Sequence, residues 1–464
     1  MGKPSIYPTG VTIYDKDRTF NGYTLYNSAY GATLIDMNGR LVKVWNGLDA
    51  PMKPLPGGQL MASVGKVPGP PGAASKMKLV QVDWNGNVVW DYSNNQLVKE
   101  NDGRETMASC HHHDFEKEGC AAGYYSPCCQ PLTGDGNVLL LTHKRVWDLK
   151  ISDKSLLDER IIEVDKDGET VWEWNAHEHI EELGLDEDAR KALFAFPMLE
   201  GDWIHLNAVA TLGQNVYYDH GDVRFAPDNI ICSSRQLNTV FIIEKSTKKI
   251  VWRIGPDYMA TPELADIGQV IGQHHAHMIP KGLPGEGHIL IFDNGSFGGY
   301  GRPNGCAPKG TDVLRRHYSR VLEIDPATYE VVWEYMKAVR NEKDVNEMGA
   351  QQFFSPYISS AQRLPNGNTL IDEGADGQMI EVTPQKEIVW EFINPIRNTH
   401  MPLSQQFSVY RAYRLPYSWV PQLKVPKEHS IACVDVADFR VPGSCVLGSR
   451  EAVETDVKIP VEWE

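Results

Sequence analysis

The sequence has no run of about 18 apolar residues, the length a helix needs to cross a bilayer, so no transmembrane helix is predicted. Clusters of positive charge are also missing. The chain carries 45 Lys and Arg against 61 Asp and Glu, which gives a formal net charge of −16. Nucleic-acid phosphates and anionic membranes attract concentrated positive charge, so neither is an expected partner.

Cysteine is scarce, with 8 residues among 464, and no spacing matches a CxxC zinc site. The first residues, Met-Gly-Lys-Pro-Ser-Ile-Tyr-Pro, contain no apolar signal-peptide core. These features predict free thiols in a reducing compartment and a cytoplasmic location. Cys128 and Cys129 cannot readily bridge as chain neighbours, and Cys110 is expected to be a buried thiol.

The chain does contain one unit repeated six times. Each copy reads as an apolar strand, a tight turn and a second strand that ends in Val-Trp. Turns such as Asn38-Gly39, Asn85-Gly86 and Asp167-Gly168 are typical of hairpins. The copies span residues 34–45, 79–90, 161–172, 240–252, 321–333 and 379–390.

Two further strands precede most copies, and four antiparallel strands are the unit of a β-propeller blade. The sequence therefore predicts an all-β, six-bladed β-propeller. The first copy lacks its innermost strand, and residues 408–416 resemble such a strand without a hairpin. We expect this C-terminal segment to pair with the N-terminal strand around Tyr23 to Tyr26 and close the ring, which removes exposed sheet edges.

The predicted propeller occupies residues 1–419, and residues 420–464 are expected to form a tail packed on its outside. Some repeated tryptophans are about 80 residues apart, so long loops must project between blades. Some of these insertions are predicted to be helical. Apolar periodicity predicts one helix over residues 178–194, and a second is expected within residues 262–271.

Histidines cluster where three of the predicted innermost strands begin. The segments are Cys110-His111-His112-His113-Asp114, Asp202-Trp203-Ile204-His205-Leu206-Asn207 and Gln273-His274-His275-Ala276-His277. Antiparallel pairing brings strand starts and ends from several blades to one mouth, and imidazole with guanidinium would suit an anionic or oxygen-rich small molecule. A lone strand histidine is more often structural, and alternation puts His112 on the face opposite His111 and His113.

At these residues the chain resembles the bacterial arylsulfotransferases, six-bladed propellers that move a sulfuryl group between phenols without a nucleotide donor. The resemblance implies that His205, His274 and Arg320 bind sulfate and exchange protons, with Asn207 and Arg235 nearby. It rests on residues of the second and third histidine segments, Asp202 to Asn207 and Gln273-His274. It also rests on Ser233-Ser234-Arg235, Ile291-Phe292-Asp293-Asn294-Gly295, Tyr318-Ser319-Arg320 and Phe354-Ser355-Pro356.

One family residue is missing. The nucleophilic histidine of the family precedes Tyr-Arg-Ala, whereas Val409 precedes Tyr410-Arg411-Ala412 here, and an isopropyl group cannot accept a sulfuryl group. The leading hypothesis from the sequence is therefore divalent-metal-assisted hydrolysis or lyase chemistry on a small phenolic or oxygenated cyclic substrate. Imidazoles from several blades would hold Zn, Mn or Fe, which activates water or polarises a carbonyl.

The candidate residues fall into three groups. The predicted metal ligands are His112, His113, His205, His274 and His275. The predicted catalytic residues are His205, His274, Arg320, Asn207, Arg235, Glu373 and Asp293. The predicted substrate-binding residues are Tyr357, Tyr410, Arg411 and His143.

Two alternatives stay open. Sulfuryl transfer between phenols could proceed directly or through another histidine such as His275. A non-catalytic propeller could instead bind a partner on its top face, although such a protein needs no axial ring of histidines. The expected partner is a small-molecule substrate, and a homo-oligomer is compatible with the sequence.

Overall fold

The computed structural model describes residues 9–66, 76–94, 96–99, 105–108, 111–195, 201–336, 353–433 and 453–457. These residues form mostly β-strands. In chain order the strands are β1 (Gly10–Tyr14), β2 (Tyr23–Ser28), β3 (Gly31–Ile35), β4 (Leu41–Asn46), β5 (Leu48–Leu55), β6 (Gln59–Lys66), β7 (Lys76–Val82), β8 (Val88–Tyr92), β9 (Gln96–Lys99), β10 (Glu105–Ala108), β11 (His111–Lys117), β12 (Val138–Val146), β13 (Leu156–Val164), β14 (Thr170–Asn175), β15 (Leu206–Thr211), β16 (Ile230–Ser234), β17 (Thr239–Ile243), β18 (Ile250–Ile254), β19 (His274–Met278), β20 (Ile289–Asp293), β21 (Gly298–Tyr300), β22 (Thr311–Leu314), β23 (Arg320–Ile324), β24 (Val331–Tyr335), β25 (Ser360–Arg363), β26 (Thr369–Glu373), β27 (Gln378–Val382), β28 (Ile388–Ile393), β29 (Ala412–Leu415) and β30 (Val453–Asp456). The α-helices are α1 (Glu187–Ala195), α2 (Val216–Asp219) and α3 (Pro262–Ile267).

Six four-stranded antiparallel units surround a central axis, so the predicted six-bladed β-propeller is confirmed. From the axis outward the blades are β29-β2-β3-β4, β5-β6-β7-β8, β11-β12-β13-β14, β15-β16-β17-β18, β19-β20-β23-β24 and β25-β26-β27-β28. The innermost strands pack beside one another around the axis. The buried core residues lie mostly between the faces of neighbouring blades.

The ring closes as predicted, because β29 supplies the innermost strand of blade one. It pairs with β2 and places Leu415 opposite Tyr23. Arg414 in β29 is fully buried and joins the two ends of the ring. Its Nη1 atom lies 2.9 Å from a carboxylate oxygen of Glu381 in blade six, and its Nε donates to the Thr24 hydroxyl in blade one at 2.9 Å.

The repeated tryptophan links each blade to the next. In every blade its indole Nε1 donates a hydrogen bond to a backbone carbonyl in the outer hairpin turn of the following blade, which satisfies the indole N–H. The six bonds run from Trp45 to Asp83 (3.3 Å), Trp90 to Lys166 (2.9 Å), Trp172 to Lys245 (2.9 Å), Trp252 to Pro326 (2.8 Å), Trp333 to Pro384 (3.0 Å) and Trp390 to Met37 (2.9 Å). The sequence repeat is thus also a repeated contact between blades.

Replacing Trp390 by Phe should lower the free energy of unfolding by about 1–3 kcal/mol, because the Met37 carbonyl stays buried without its donor. Trp333→Phe removes the same group from a solvent-exposed bond, where water can replace the indole, so we expect a loss below about 1 kcal/mol. Chemical denaturation of both variants measures the difference. Equal losses would contradict the role assigned to the buried bond.

The prediction that all cysteines are thiols is wrong for one pair. Cys120 and Cys129 form a disulfide, with Cα atoms 5.1 Å apart, in the connection between β11 and β12. Cys110 lies outside the described residues. The disulfide borders a cavity of about 500 Å³, together with Glu116 and Thr211. These two residues lie near the ends of β11 and β15, so the cavity is at the end of the propeller opposite the histidine-bearing strand starts.

The helical insertions are shorter than predicted. Residues 178–194 do not form one helix, because Gly184 adopts a φ of 75° between a 3-10 helix at Ala176–His179 and α1. The second predicted helix is α3, which begins after Thr261, whose side chain accepts a hydrogen bond from the Leu264 amide. None of the described helices is long and apolar enough to span a membrane.

Both chain termini contribute strands at the outer edges of blades. β1 pairs with β28 on blade six, and β30 pairs in parallel with β4 on blade one. The Tyr14 hydroxyl also donates to the Glu428 carboxylate at 2.8 Å. The division between propeller and tail at residue 419 stays a prediction.

Candidate active site

The histidine-bearing strand starts have an irregular backbone in all three blades. In each, the strand pairing shifts register near the first residues of the innermost strand. One histidine per segment occupies the left-handed region, which non-glycine residues rarely adopt. These are His113 (φ 47°), His205 (φ 49°) and His275 (φ 51°).

The bulge in blade three overturns the strict alternation expected from the sequence. His112 and His113 were predicted to lie on opposite faces, yet their Nδ1 atoms are 2.7 Å apart and form a hydrogen bond. A bulge inserts a residue that does not follow the pleat, so consecutive side chains can turn towards each other.

His113 lies at the centre of the site. Its ring centroid is 4.7 Å from that of His205 and 6.5 Å from that of Tyr410. The Tyr410 hydroxyl also donates to the His113 carbonyl at 2.7 Å. His113, His205, Arg235 and Tyr410 are partly exposed, whereas His274 is buried. We call these five residues the axial site.

His274 is held as a neutral base. Its Nδ1 atom lies 2.7 Å from Asn294 Oδ1 and 3.1 Å from the Gly272 carbonyl, and both partners are acceptors. The Asn294 amide is oriented by donating to the Ser355 and Ile358 carbonyls. Nδ1 therefore carries the hydrogen and Nε2 keeps a lone pair. Burial lowers the pKa of His274 to about 3, and the positive charge of Arg235 lowers it further. The hydrogen bond that His274 donates to Asn294 acts in the opposite direction.

A carboxylate orients the second imidazole of the axial site. His205 Nδ1 lies 2.5 Å from Asp202 Oδ2, so the hydrogen is on Nδ1 and Nε2 is left for another partner. Asn207 lies fully buried nearby and donates to the Gln273 carbonyl at 2.7 Å. Its Oδ1 atom has no hydrogen-bond partner among the residues that the structure describes.

Arg235 supplies the positive charge of the axial site. Within the described ranges its guanidinium forms no ion pair, and burial lowers its pKa, although Asp312 and Asp202 oppose the shift. Arg411 differs because its charge is already paired. One of its nitrogens lies 2.9 Å from Asp114, and another donates to the Asn207 carbonyl at 2.6 Å.

Four of the predicted site residues have their contacts elsewhere. Arg320 Nε lies 2.7 Å from Asp293, whose same oxygen is 2.7 Å from Arg316, so this arginine is held by a structural carboxylate. Glu373 accepts a hydrogen bond from a backbone amide at 2.8 Å. Tyr357 is half-buried, and burial raises its pKa to about 12. The resemblance to the family suggested Arg320 as the sulfate-binding arginine, whereas Arg235 is the one beside His274.

A buried group lies behind His113 in blade three. The rings of His112 and His143 stack with centroids 3.7 Å apart, and both face the Glu159 carboxylate at N–O distances of 3.0 and 3.4 Å. Burial opposes ionisation of Glu159, but the two histidines outweigh it and lower the pKa of the carboxyl. His143 was predicted to bind substrate, whereas Glu159 was not predicted as a site residue, because it is one of several charged residues in β13 and belongs to no motif.

The five metal ligands predicted from the sequence do not form one set. In the described part of the chain, only His112, His143 and Glu159 place three ligand atoms within 4.8 Å of one another. His275 lies deeper, with both ring nitrogens buried. Below it, His277 Nδ1 donates to the His275 carbonyl at 2.8 Å, and Nε2 is 2.9 Å from the Tyr124 hydroxyl.

Low pH should destabilise the fold through these neutral histidines. Burial lowers the pKa of His274 to about 3 and that of His277 to about 4, whereas an unfolded histidine protonates near pH 6.5. Below that pH the unfolded chain binds protons that these histidines do not bind in the folded protein. The free energy of unfolding therefore falls by about 1.4 kcal/mol per pH unit for each such histidine. The raised pKa values of His143 and His177 oppose this effect, but more histidines are lowered than raised.

Urea denaturation at pH 7 and pH 5 measures this dependence, and we expect a clear loss of unfolding free energy at pH 5. His277→Gln should reduce the difference, while replacing the exposed His220 should not. A free energy that is the same at both pH values would contradict the neutral state of the buried imidazoles.

Val409, at the position of the family's nucleophile, is fully buried in a hydrophobic cluster with Trp390 and Phe392. It therefore packs between blades and contributes no reactive group. His400, the nearest upstream histidine, is exposed.

Comparisons with known proteins assign the sequence to a family. No curated protein matches the sequence significantly. Among solved structures, a protein of unknown function from Bacteroides caccae is 11% identical, with 84% of this chain and 98% of that chain covered and a TM-score of 0.39. A virginiamycin B lyase from Staphylococcus aureus is 12% identical, with 82% and 84% covered and a TM-score of 0.33. Neither similarity carries an argument about activity.

The sequence model of the arylsulfotransferase (ASST) family matches residues 132–413, which is more than half of the chain. The matched region contains the three outer strands of blade three, blades four to six and the first half of the closing strand. It also contains four of the five axial-site residues, all except His113. The protein belongs to the arylsulfotransferase (ASST) family.

Proposed function

We propose that this protein transfers a sulfuryl group between phenols at the axial site. The observation that carries the proposal is His274, a neutral imidazole whose Nδ1 is fixed by Asn294 and whose Nε2 keeps its lone pair. Beside it, the Arg235 guanidinium forms no ion pair with a described carboxylate, although Asp312 and Asp202 partly offset its charge. A base next to an unpaired cation suits a reaction in which an anionic sulfuryl group meets a hydroxyl nucleophile.

In the proposed reaction, His274 Nε2 takes the proton of the acceptor phenol as the phenol oxygen attacks sulfur. The bond between sulfur and the donor phenol oxygen breaks, and the leaving phenolate takes a proton. His205, whose Nδ1 is held by Asp202, is placed to pass that proton through its Nε2. Arg235 offsets the negative charge on the sulfuryl oxygens. Proton transfer by such groups contributes about 10²–10⁴-fold to a rate.

Because Val409 cannot form the covalent intermediate, direct transfer between two bound phenols is the favoured route. His275 is the less suitable substitute, since both of its ring nitrogens are enclosed in the interior. His274 could also accept the sulfuryl group, and the two routes differ in one observable. Only the covalent route leaves a labelled histidine when donor is supplied without acceptor.

Incubation with 4-nitrophenyl sulfate and phenol tests the proposal. We expect 4-nitrophenolate release that depends on phenol, with phenyl sulfate as the second product by mass spectrometry. Intact mass after incubation with donor alone distinguishes the direct from the covalent route. Absence of turnover with a panel of aryl sulfates and phenols would contradict sulfuryl transfer.

A metal-assisted hydrolase or lyase, the leading hypothesis from the sequence, is the second candidate. Its geometric support among the described residues is the group formed by His112, His143 and Glu159. It predicts that activity disappears on chelation and returns with a divalent ion. An active preparation free of metal would remove this candidate.

A further inference from the structure

The buried group behind His113 has polar atoms without partners. His112, His143 and Glu159 are at most 2% exposed. His112 Nε2, both ring nitrogens of His143 and Glu159 Oε2 form no hydrogen bond within the described part of the chain. Glu159 Oε2 and His112 Nε2 are 3.0 Å apart, which is close enough for a hydrogen bond. The orientation of the His112 ring, however, does not direct an N–H at this oxygen. Buried polar groups are normally satisfied, so these orphaned atoms require a partner.

We propose that His112, His143 and Glu159 bind a divalent transition-metal ion. Two imidazoles and one carboxylate are a donor set that Zn, Mn and Fe(II) accept, with further positions left for water. The three ligand atoms already lie within 4.8 Å of one another. Binding requires the stacked rings of His112 and His143 to tilt so that their Nε2 atoms point to a common centre. The ion would also neutralise Glu159, which no described lysine or arginine pairs.

Two of the three proposed ligands have a second contact that holds them in place. Glu159 uses its other oxygen, Oε1, to accept the Leu206 amide of blade four at 2.8 Å, which orients the carboxylate. His112 uses its other nitrogen, Nδ1, in the 2.7 Å bond to His113. Ligands of metal sites are commonly fixed by such outer contacts. Glu159 and His112, which face the proposed ion with one atom, are therefore each held by a second.

The ion would set the hydrogen positions of the axial site, a consequence that rests on the proposed function. With metal on Nε2, His112 keeps its hydrogen on Nδ1 and donates it to His113 Nδ1. His113 then carries its own hydrogen on Nε2 and acts as a donor rather than a base. It would complement the lone pair of His274 in binding the oxygens of a sulfuryl group.

The test uses full-length protein made without a histidine tag, stripped with chelator and dialysed against Co²⁺ or Zn²⁺. We expect one ion per chain by elemental analysis and visible absorption from bound Co²⁺. Glu159→Gln and His143→Asn should each lower the bound metal at least about tenfold, since each removes one of three ligands. Gln at 159 still offers an oxygen to the Leu206 amide. The matched control is His179→Gln, a histidine that pairs with Glu182 outside this group.

Stoichiometric binding that is lost in both variants and kept in the control supports the site. Wild-type protein that binds no Co²⁺, or binding that both variants retain, overturns it. Paramagnetically shifted imidazole signals of the wild-type Co²⁺ protein decide the question if a variant fails to fold: two ligated histidines support the site, and none overturns it. Metal content is read independently of turnover, so a failure of sulfuryl transfer leaves this result unaffected.

Discussion

Replacing His274 by Ala should lower kcat/KM for sulfuryl transfer by about 10²–10⁴-fold, the contribution expected of a positioned general base. The loss follows from the bonding of the ring, because Nδ1 is occupied by Asn294 and only Nε2 can take the phenol proton. Since the pKa of His274 is about 3, the base is unprotonated at pH ~5 and above. The rate should therefore show no acidic limb from this residue above pH ~5.

Two further measurements separate chemistry from structural damage. Added imidazole should restore part of the activity of His274→Ala, because it can occupy the vacated space and supply the missing nitrogen. Asn294→Ala tests the positioning role, since it removes the hydrogen bond that orients the His274 ring. We expect a lower kcat and a smaller change in KM. His220→Ala, an exposed histidine away from the site, serves as the control. A His274→Ala enzyme within about threefold of the wild-type rate would exclude the role as base.

The fold was predictable because its repeat coincides with a physical contact. Val-Trp ends all six copies of the repeat, and the tryptophan of each copy bonds to the next blade. The missing first inner strand likewise has one geometric solution, which is the pairing of β29 with β2. Both signals depend on local pattern and ring closure, so neither needed knowledge of side-chain positions.

The site was less predictable because its geometry depends on departures from regular structure. Alternation assigns side chains to faces only on a regular strand, and the positive φ at His113 breaks that rule. The position of a residue in a motif also does not show which partner it has. Arg320 matches the family pattern, but its guanidinium is bound to Asp293, and Arg235 is left with the unpaired charge.

The disulfide and the buried group of His112, His143 and Glu159 were not predicted from the sequence for a different reason. Cys120 and Cys129 approach through the path of a loop, and Glu159 joins His112 and His143 through pairing between strands. Sequence separation carries no information about either approach. A contact between distant residues can be predicted only when both belong to a recognised pattern, as the tryptophans do.

Asp114 is the residue whose removal should destabilise the protein most. Its carboxylate lies 2.9 Å from both Lys53 in blade two and Arg411 beside the closing strand. It also accepts the Val209 amide of blade four at 3.1 Å, so one buried group in blade three contacts three other blades. Asp114→Ala would leave two buried cations without a counter-charge, and we expect a loss of about 3–5 kcal/mol in the free energy of unfolding.

The pH dependence and a double variant test this explanation. Burial alone would raise the pKa of Asp114, but Arg411 and Lys53 outweigh it and lower the pKa below its usual value. The charged form is therefore the stabilising one: its contribution is complete above about pH 4 and is lost as the pH falls through the folded-state pKa. Wild type and Asp114→Asn should accordingly converge in stability below pH ~4.

Adding Lys53→Met to Asp114→Ala should recover part of the lost stability, because it removes one of the two uncompensated charges. Lys53→Met alone should cost less than Asp114→Ala, since Arg411 still pairs with the carboxylate. Urea denaturation of the three variants at pH 7 gives the coupling energy between the two positions. If the two substitutions simply add, the ion pairs around Asp114 do not hold the blades together at the axis.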